Sequence, residues 1–177
     1  MDFTTTTLSS TRLRLTAFQA EDAAEIFAAV TPTLTRFMAF DPSPSFDAFS
    51  EVSSAWFAKM ASGTDLFLVV RLALTGEFLG LVGLHNIGDE EAEAGVWIKE
   101  ASHGFGYGRE AVSALVGWAA GATGVQRITY PVVEYNHPSR RVAESLGGVV
   151  VGSRRLRKTD DLDHPTVIYR IPVPRSQ

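Results

Sequence analysis

Hydrophobic and polar positions change period repeatedly along this chain, and each change marks an element. From Arg12 to Ala17 they alternate, with Leu13, Leu15 and Ala17 on one side, which predicts a strand covered on one face. Helical spacing follows. Glu21 and Asp22 favour a helix start, Ile26, Phe27 and Val30 supply its apolar stripe, and Thr31-Pro32 interrupts it. A short helical turn carries Leu34, Phe37 and Met38. The stiff polar connection Asp41-Pro-Ser-Pro-Ser comes next and suits the border of a substrate cleft. Phe49, Val52, Trp56, Phe57 and Met60 then repeat at helical spacing, with Ser45 as N-cap and Gly63 as terminator.

Two nearly continuous apolar runs, Leu66 to Val70 and Phe78 to Leu84, are joined by Leu74-Thr75-Gly76-Glu77 and predict a hairpin buried on both faces at the sheet's centre. Glu91 to Ile98 alternates again, Ala92, Ala94, Val96 and Ile98 opposing Glu91, Glu93 and Trp97, so the carboxylates share a face. It leads into Ser102-His-Gly-Phe-Gly-Tyr-Gly-Arg-Glu-Ala111 and a helix carrying Ala111, Val112, Leu115, Val116 and Ala119. Ile128 to Val133 reads as a strand with one open edge, because Pro131 cannot donate to a ladder. Asn136-His-Pro-Ser139 starts a short helix ended by Gly147-Gly148. Val149 to Val151 and Thr166 to Ile171 are the last strands, with Arg154 to Asp163 as a hairpin tip.

Composition narrows the function. A length of 177 residues with 45% hydrophobic content suits a single domain over 1–177. A net charge of -4 and no basic stripe before Arg154 argue against a nucleic-acid partner. No cysteine and four scattered histidines give no metal site. No apolar run approaches the ~20 residues needed to span a bilayer, and no leader pattern opens the chain. The expectation is a cytoplasmic protein without a membrane partner.

The glycine loop carries the chemistry. Gly104, Gly106 and Gly108 permit positive φ and leave no Cβ in the way, so several N–H groups can converge at the positive end of a helix dipole. A pyrophosphate suits such a site. The dinucleotide fingerprint requires glycine where Arg109 stands, and the P-loop's Gly-Lys-Ser/Thr is absent. A plain glycine-rich helix start is the alternative.

The pattern His103-x-x-Gly106-x-Gly108, followed by Arg109, Glu110 and Ala111, instead resembles motif A of the GCN5-related N-acetyltransferases (GNAT), with His103 in place of the usual Gln or Arg. Thr11-Arg12-Leu13-Arg14-Leu15, Ala92 to Ile98, and Asn136-x-x-Ser139 ending in Leu146-Gly147-Gly148 are similar to the RimJ/RimL type, which usually has Gly-Phe at the last pair. The resemblance implies an α/β (α+β) fold, with a mixed, mostly antiparallel sheet, helices on both faces, and splayed fourth and fifth strands. It implies acetyl-CoA as co-substrate and direct transfer to a primary amine on a peptide or small molecule in a ternary complex. A homodimer is a further family expectation.

By that resemblance Val96, Trp97 and Ile98 hold the pantetheine arm. The loop His103, Gly104, Phe105, Gly106, Tyr107, Gly108 and Arg109 holds the pyrophosphate, and Asn136 meets the cofactor beside the thioester. Ala143 stands where many relatives place a tyrosine, so Ser139 is the candidate acid for the thiolate, with Tyr135 in reserve; Asn136 and Ser139 also suit helix capping. Glu93 is the candidate base through water, ahead of Glu134 and His85, and it also suits a solvated surface. An α-amine, near pKa ~8, needs less help from a base than a lysine amine near ~10.4. The acidic group Asp89, Glu90, Glu91 and Glu93 could attract a cationic amine, and Arg140 and Arg141 could reach the 3'-phosphate. The competing readings are a catalytically silent CoA-binding module and a plain oligomerising domain.

Overall fold

In the computed structural model, which describes residues 1–88, 90–158 and 163–174, the two apolar runs form Leu66–Leu72 (β3) and Phe78–His85 (β4), antiparallel neighbours at the middle of an eight-stranded sheet. Seven of the eight residues of β4 are buried, which is why its sequence is apolar without alternation. Leu13–Ala17 (β2) pairs with β3, and Glu91–Ile98 (β5) pairs with β4 in unbroken register from Gly80↔Ile98 to His85↔Glu93. A short strand that the pattern did not suggest, Thr7–Ser9 (β1), pairs with β2 at the sheet edge. Three residues in a Thr/Ser run carry too little periodicity to be seen, so the expected fourth and fifth strands are β5 and Arg127–Val133 (β6).

The helices follow their stripes and caps. Ala23–Ala29 (α1), after a 3-10 turn over Ala20–Asp22, and Pro32–Thr35 (α2) are short. Phe46–Ser62 (α3) starts at Ser45, whose hydroxyl accepts from the Ala48 N–H, and ends at Gly63 with φ 79°. Arg71 ties α1 to β3 through Asp22 (2.8 Å) and Glu25 (2.5 Å). Helices α1 and α3 pack on one face of the sheet. Tyr107–Ala122 (α4) and His137–Ser145 (α5) pack together on the other, where α4 buries Ala111, Val112, Leu115, Val116 and Ala119.

The C-terminal pair is longer than the pattern suggested. Val149–Arg157 (β7) runs past Val151, and Asp163–Ile171 (β8) lies between β6 and β7. Arg154 is therefore in a strand rather than a hairpin tip, while Asp160 and Asp161 lie outside the described residues. Adjacent in an edge strand, Arg154 and Arg155 point to opposite faces, Arg154 toward a cavity, where it meets Glu93.

Every neighbouring pair is antiparallel except β5 and β6, which are parallel and touch only at Glu91↔Arg127, Ala92↔Ile128 and Glu93↔Thr129. Beyond Glu93 the strands part, as expected for the fourth and fifth strands. Glu134 donates its N–H to Pro165 on the β8 side, so by alternation the nitrogen of Pro131 faces the β5 side and has no proton to offer there.

One backbone contact on β5 is tight enough to test. A Cβ added at Gly80 would lie 2.1 Å from the Trp97 carbonyl oxygen. Gly80→Ala should therefore push β5 away from β4 and cost about 1–3 kcal/mol, read as a lower urea midpoint with an unchanged slope.

Candidate active site

Where β5 and β6 part, a cavity of about 750 Å³ opens on the α1/α3 face of the sheet. Ala94 to Trp97 line one wall, Tyr130 to Val133 the other, and Asn136 and Ser139 reach it from the start of α5. Of the expected pantetheine residues, Val96 and Trp97 line the cavity, while Ile98 is buried against the α4 side, where its side chain lies next to Gly108. Cross-strand partners share a face. Phe67, Gly83 and Gly95 make one row across β3, β4 and β5, with His85 and Glu93 as the next pair along.

The glycine loop sits at the other end of β5. Gly104 and Gly106 have φ of 85° and 80°, which a Cβ would strain. Gly108 differs from expectation: it is an ordinary helical residue, and a Cβ there would meet Ile98 and Val142 at van der Waals distance. The first intrahelical bond runs from the Glu110 N–H to the Gly106 carbonyl. Among the described residues nothing accepts from the N–H groups of Gly104 through Arg109. That cradle of free donors at a helix N-terminus fits a diphosphate. His103 serves the loop from behind, its Nε2–H donating to the Ile98 carbonyl at 2.6 Å. Phe105 and Arg109 are exposed, and Phe105 stacks on Tyr107.

The loop is locked by residues the sequence reading used only as a signature. Glu110 accepts from the Ser10 hydroxyl and the Arg12 N–H, both at 2.7 Å, and from the Arg12 guanidinium at 2.7 Å. The same guanidinium donates to the Phe105 carbonyl at 3.1 Å and lies over the Tyr107 ring. Burial opposes ionisation of Glu110, but the Ser10 hydroxyl, the Arg12 N–H and its guanidinium outweigh it and hold the carboxyl below its ordinary value.

The expected acid–base groups are brought to one cavity unequally. Ser139 lines it, with its hydroxyl 2.9 Å from that of Tyr130, and its N–H is capped by Asn136 Oδ1 at 3.3 Å. Burial pushes the Tyr130 phenol up to about 12, only partly offset by Ser139, so it keeps its proton at neutral pH. Tyr130 was missed because an inward residue of a strand looks like core. Its signal was a hydroxyl facing the open side at Pro131. Tyr135 and Glu134 are exposed and do not line the cavity. Glu93 does line it, but Arg154 holds both of its oxygens at 3.0 Å. Glu90 and Glu91 pair with Arg127, and Asp89 lies outside the described residues. The acidic group is thus largely neutralised by arginine. Arg140 donates to the Tyr169 hydroxyl at 2.9 Å and the Glu134 carbonyl at 3.4 Å, which ties it to the protein, whereas Arg141 is exposed.

Among the described residues the eight-stranded sheet opens between its one parallel pair, with a glycine-rich anion cradle at the end of one of them, an arrangement suited to an extended ligand that carries a diphosphate. The sequence model described as Acetyltransferase (GNAT) domain matches residues 12–149, and the chain belongs to that family. Its fold neighbours agree. RimL, a ribosomal L7/L12 alpha-N-protein acetyltransferase solved in complex with coenzyme A, superposes with a TM-score of 0.85 at 17% identity, over 95% of this chain and 98% of that one. A GCN5-related N-acetyltransferase from Brucella melitensis gives 0.77 at 20%, covering 94% and 78%. A GNAT-family acetyltransferase from Bacillus anthracis gives 0.79 at 17%, covering 94% and 98%. A search of curated proteins gives no match. The protein is an N-acetyltransferase of a family that uses acetyl-CoA. Among the described residues no group of side chains could hold a metal ion, and no helix is long and apolar enough to cross a membrane.

The Glu110 lock gives a pH-dependent prediction. A carboxyl held below its unfolded value, here 4.5, adds stability above that pH and loses it as pH falls through the lower folded value. Glu110→Gln should cost about 1–2 kcal/mol at pH 7. The gap to the native chain should close below about pH 4.5 in urea melts run across pH.

Proposed function

We propose that this protein transfers an acetyl group from acetyl-CoA to a primary amine, of a peptide or a small molecule, by direct attack in a ternary complex. The observation that carries this reading is the order of the parts: the free N–H groups of Gly104 to Arg109 follow closely on β5, whose edge is unpaired at Val96, and Val96 shares its cavity with Asn136 and Ser139 at the start of α5. The loop amides hold the diphosphate, with His103 bracing the loop and Arg109 beside it. By alternation Val96 turns its backbone N–H and C=O, and Ile98 its N–H, to the gap as partners for the pantetheine arm, while Trp97, whose carbonyl faces Gly80 on β4, lines the cavity with its side chain. Asn136 caps α5 and faces the cleft at the same time.

Acetyl-CoA supplies an acetyl carbon activated as a thioester. The chain's own residues orient it and move protons. Ser139 Oγ gives a proton to the leaving sulfur, the Tyr130 hydroxyl, which its burial keeps protonated, re-supplies it, and a proton that the nitrogen sheds as the N–C bond forms restores the pair. Glu93, bridged to Arg154, is the candidate base only if that bridge opens; closed, it braces β5 against β7. RimL acts on a ribosomal protein's α-amine, which supports a peptide N-terminus as one acceptor class. Nucleic acid and membrane have no place in this reading, and the setting is cytoplasmic. The exposed Val149, Val150 and Val151 on edge strand β7 support a homodimer.

The test is CoA-thiol release from acetyl-CoA across a panel of amines and peptides, with acetyl-CoA binding measured by calorimetry in parallel. Native protein should bind and turn over at least one amine. Gly106→Val should lose binding, since its φ of 80° excludes a branched side chain. Ser139→Ala should bind normally and lose about 10–100-fold in kcat, with Tyr130→Phe intermediate. Native protein that binds acetyl-CoA but transfers to nothing is the silent binding module, and failure to bind removes the reading altogether.

A further inference from the structure

The acceptor end of the cleft holds a second acid–base pair opposite Ser139. His85 ends β4, and its Nδ1 lies 3.1 Å from Asp65 Oδ1. The Asp65 side chain is 8% exposed and that of His85 31%, so a buried carboxylate holds an imidazole that reaches the cavity. A carboxylate accepts, so Nδ1 carries the proton and Nε2 presents its lone pair. Among the described residues no hydrogen bond engages Nε2. The ring has room because Gly83 lies beneath it: a Cβ there would stand 2.7 Å from Nε2, and one at Gly95 3.9 Å. Those two glycines are cross-strand partners. The imidazole therefore lies over a bare stretch of sheet that runs to Val96, where the cleft opens.

The wall behind this histidine is aromatic. Phe27, Phe49, Trp56 and Phe67 form a continuous series of ring contacts ending on His85, at 5.9, 5.9, 4.6 and 5.1 Å between successive centroids. All five rings line the cavity. They come from α1, α3, β3 and β4, so the series is built by the tertiary fold. Apolar surface left facing a cavity suits an apolar group that replaces water there.

We propose that His85, oriented by Asp65, takes the proton from the acceptor ammonium, and that the acceptor is a primary amine bearing an aromatic group that packs along this wall. The proposal rests on the acetyltransfer reading above and names its base and acceptor class. Of the two protons that the ammonium loses as its N–C bond forms and the thioester C–S bond breaks, one ends on the sulfur at the Ser139 side. The other passes to His85 Nε2 and then to solvent. Glu93 is the weaker acceptor of that proton because both its oxygens are already held by Arg154. The charged groups around His85 are Asp65 and, 3.7 Å from it, Lys59, together with the Glu93–Arg154 pair beside it on the sheet.

The probes are 2-phenylethylamine, ethylamine and a serine-initiated hexapeptide, with native protein, His85→Gln and Asp65→Asn. Native kcat/KM for 2-phenylethylamine should exceed that for ethylamine at least ~10-fold. It should rise with pH along a limb that belongs to His85. His85→Gln should remove that limb and lower kcat about 100-fold or more at pH 7. The loss should shrink toward pH 10, where an alkylamine is itself largely neutral (pKa ~10.4). Acetyl-CoA affinity should not change. Independently of turnover, histidine 15N shifts at pH 8, assigned by the signal lost in His85→Gln, should show Nδ1 protonated and Nε2 bare. Asp65→Asn should shift that balance; if it does not fold, the native spectrum and His85→Gln carry the test. An Nε2–H tautomer, or a pH limb unchanged in His85→Gln, overturns the base. Turnover of the hexapeptide without preference for the aromatic amine overturns the acceptor class and leaves acetyltransfer standing. Binding of acetyl-CoA with no turnover of any probe overturns the inference, and loss of acetyl-CoA binding overturns the reading beneath it.

Discussion

Everything at the active site depends on a failure of strand pairing. Strands β5 and β6 keep a parallel ladder for three residue pairs and then separate. A sheet edge left inside a protein leaves a row of unpaired N–H and C=O groups, which is costly unless something else satisfies it. Pro131 reduces that cost on the β6 side by presenting no N–H to the gap. The β5 side keeps its donors, and an extended ligand with amide groups of its own can take the place of the missing strand. The gap is thus suited to such a ligand because the backbone there is unsatisfied.

The anion cradle needs a different kind of support. Free N–H groups at a helix start repel one another and attract water, so a loop that converges them must be held from outside. Here the hold comes from the N-terminal strand. Arg12 and Ser10 converge on Glu110, and the Arg12 guanidinium also reaches the Phe105 carbonyl and covers Tyr107. Glu110 lies in the first turn of α4, where its charge also favours the helix dipole. The segment Thr11 to Leu15 and the glycine loop, a hundred residues apart, form one structural unit.

Much of this was legible in the sequence because it is local. Ser45, Gly63, Asn136 and Gly147 cap or end helices through chemistry within four residues of themselves. The parting of β5 and β6 was legible because proline carries its consequence with it. The partners of Glu93, Glu110 and His85 were not legible, since Arg154, Arg12 and Asp65 reach them only after strands have paired. The short β1 was invisible for want of periodicity, and the extent of β7 for want of apolar residues beyond Val151. Tyr130 shows the same limit at a single residue. It shares a buried face with Ile128 and Val132, and only the fold tells that inward, there, means the cleft.

The two walls of the cleft place opposite demands on their protonation states. The leaving sulfur needs a donor that holds its proton until the bond breaks. Tyr130, raised to about 12 by burial behind Ser139, is such a reserve. The ammonium needs an acceptor with a free lone pair, and an imidazole held at one nitrogen by a buried carboxylate presents one at the other. Separating donor and acceptor across the gap between β5 and β6 gives each its own surroundings, burial behind Ser139 for the phenol and an Asp65 contact for the imidazole. The parted strands then set the distance between the two proton-transfer groups as well as the path of the co-substrate.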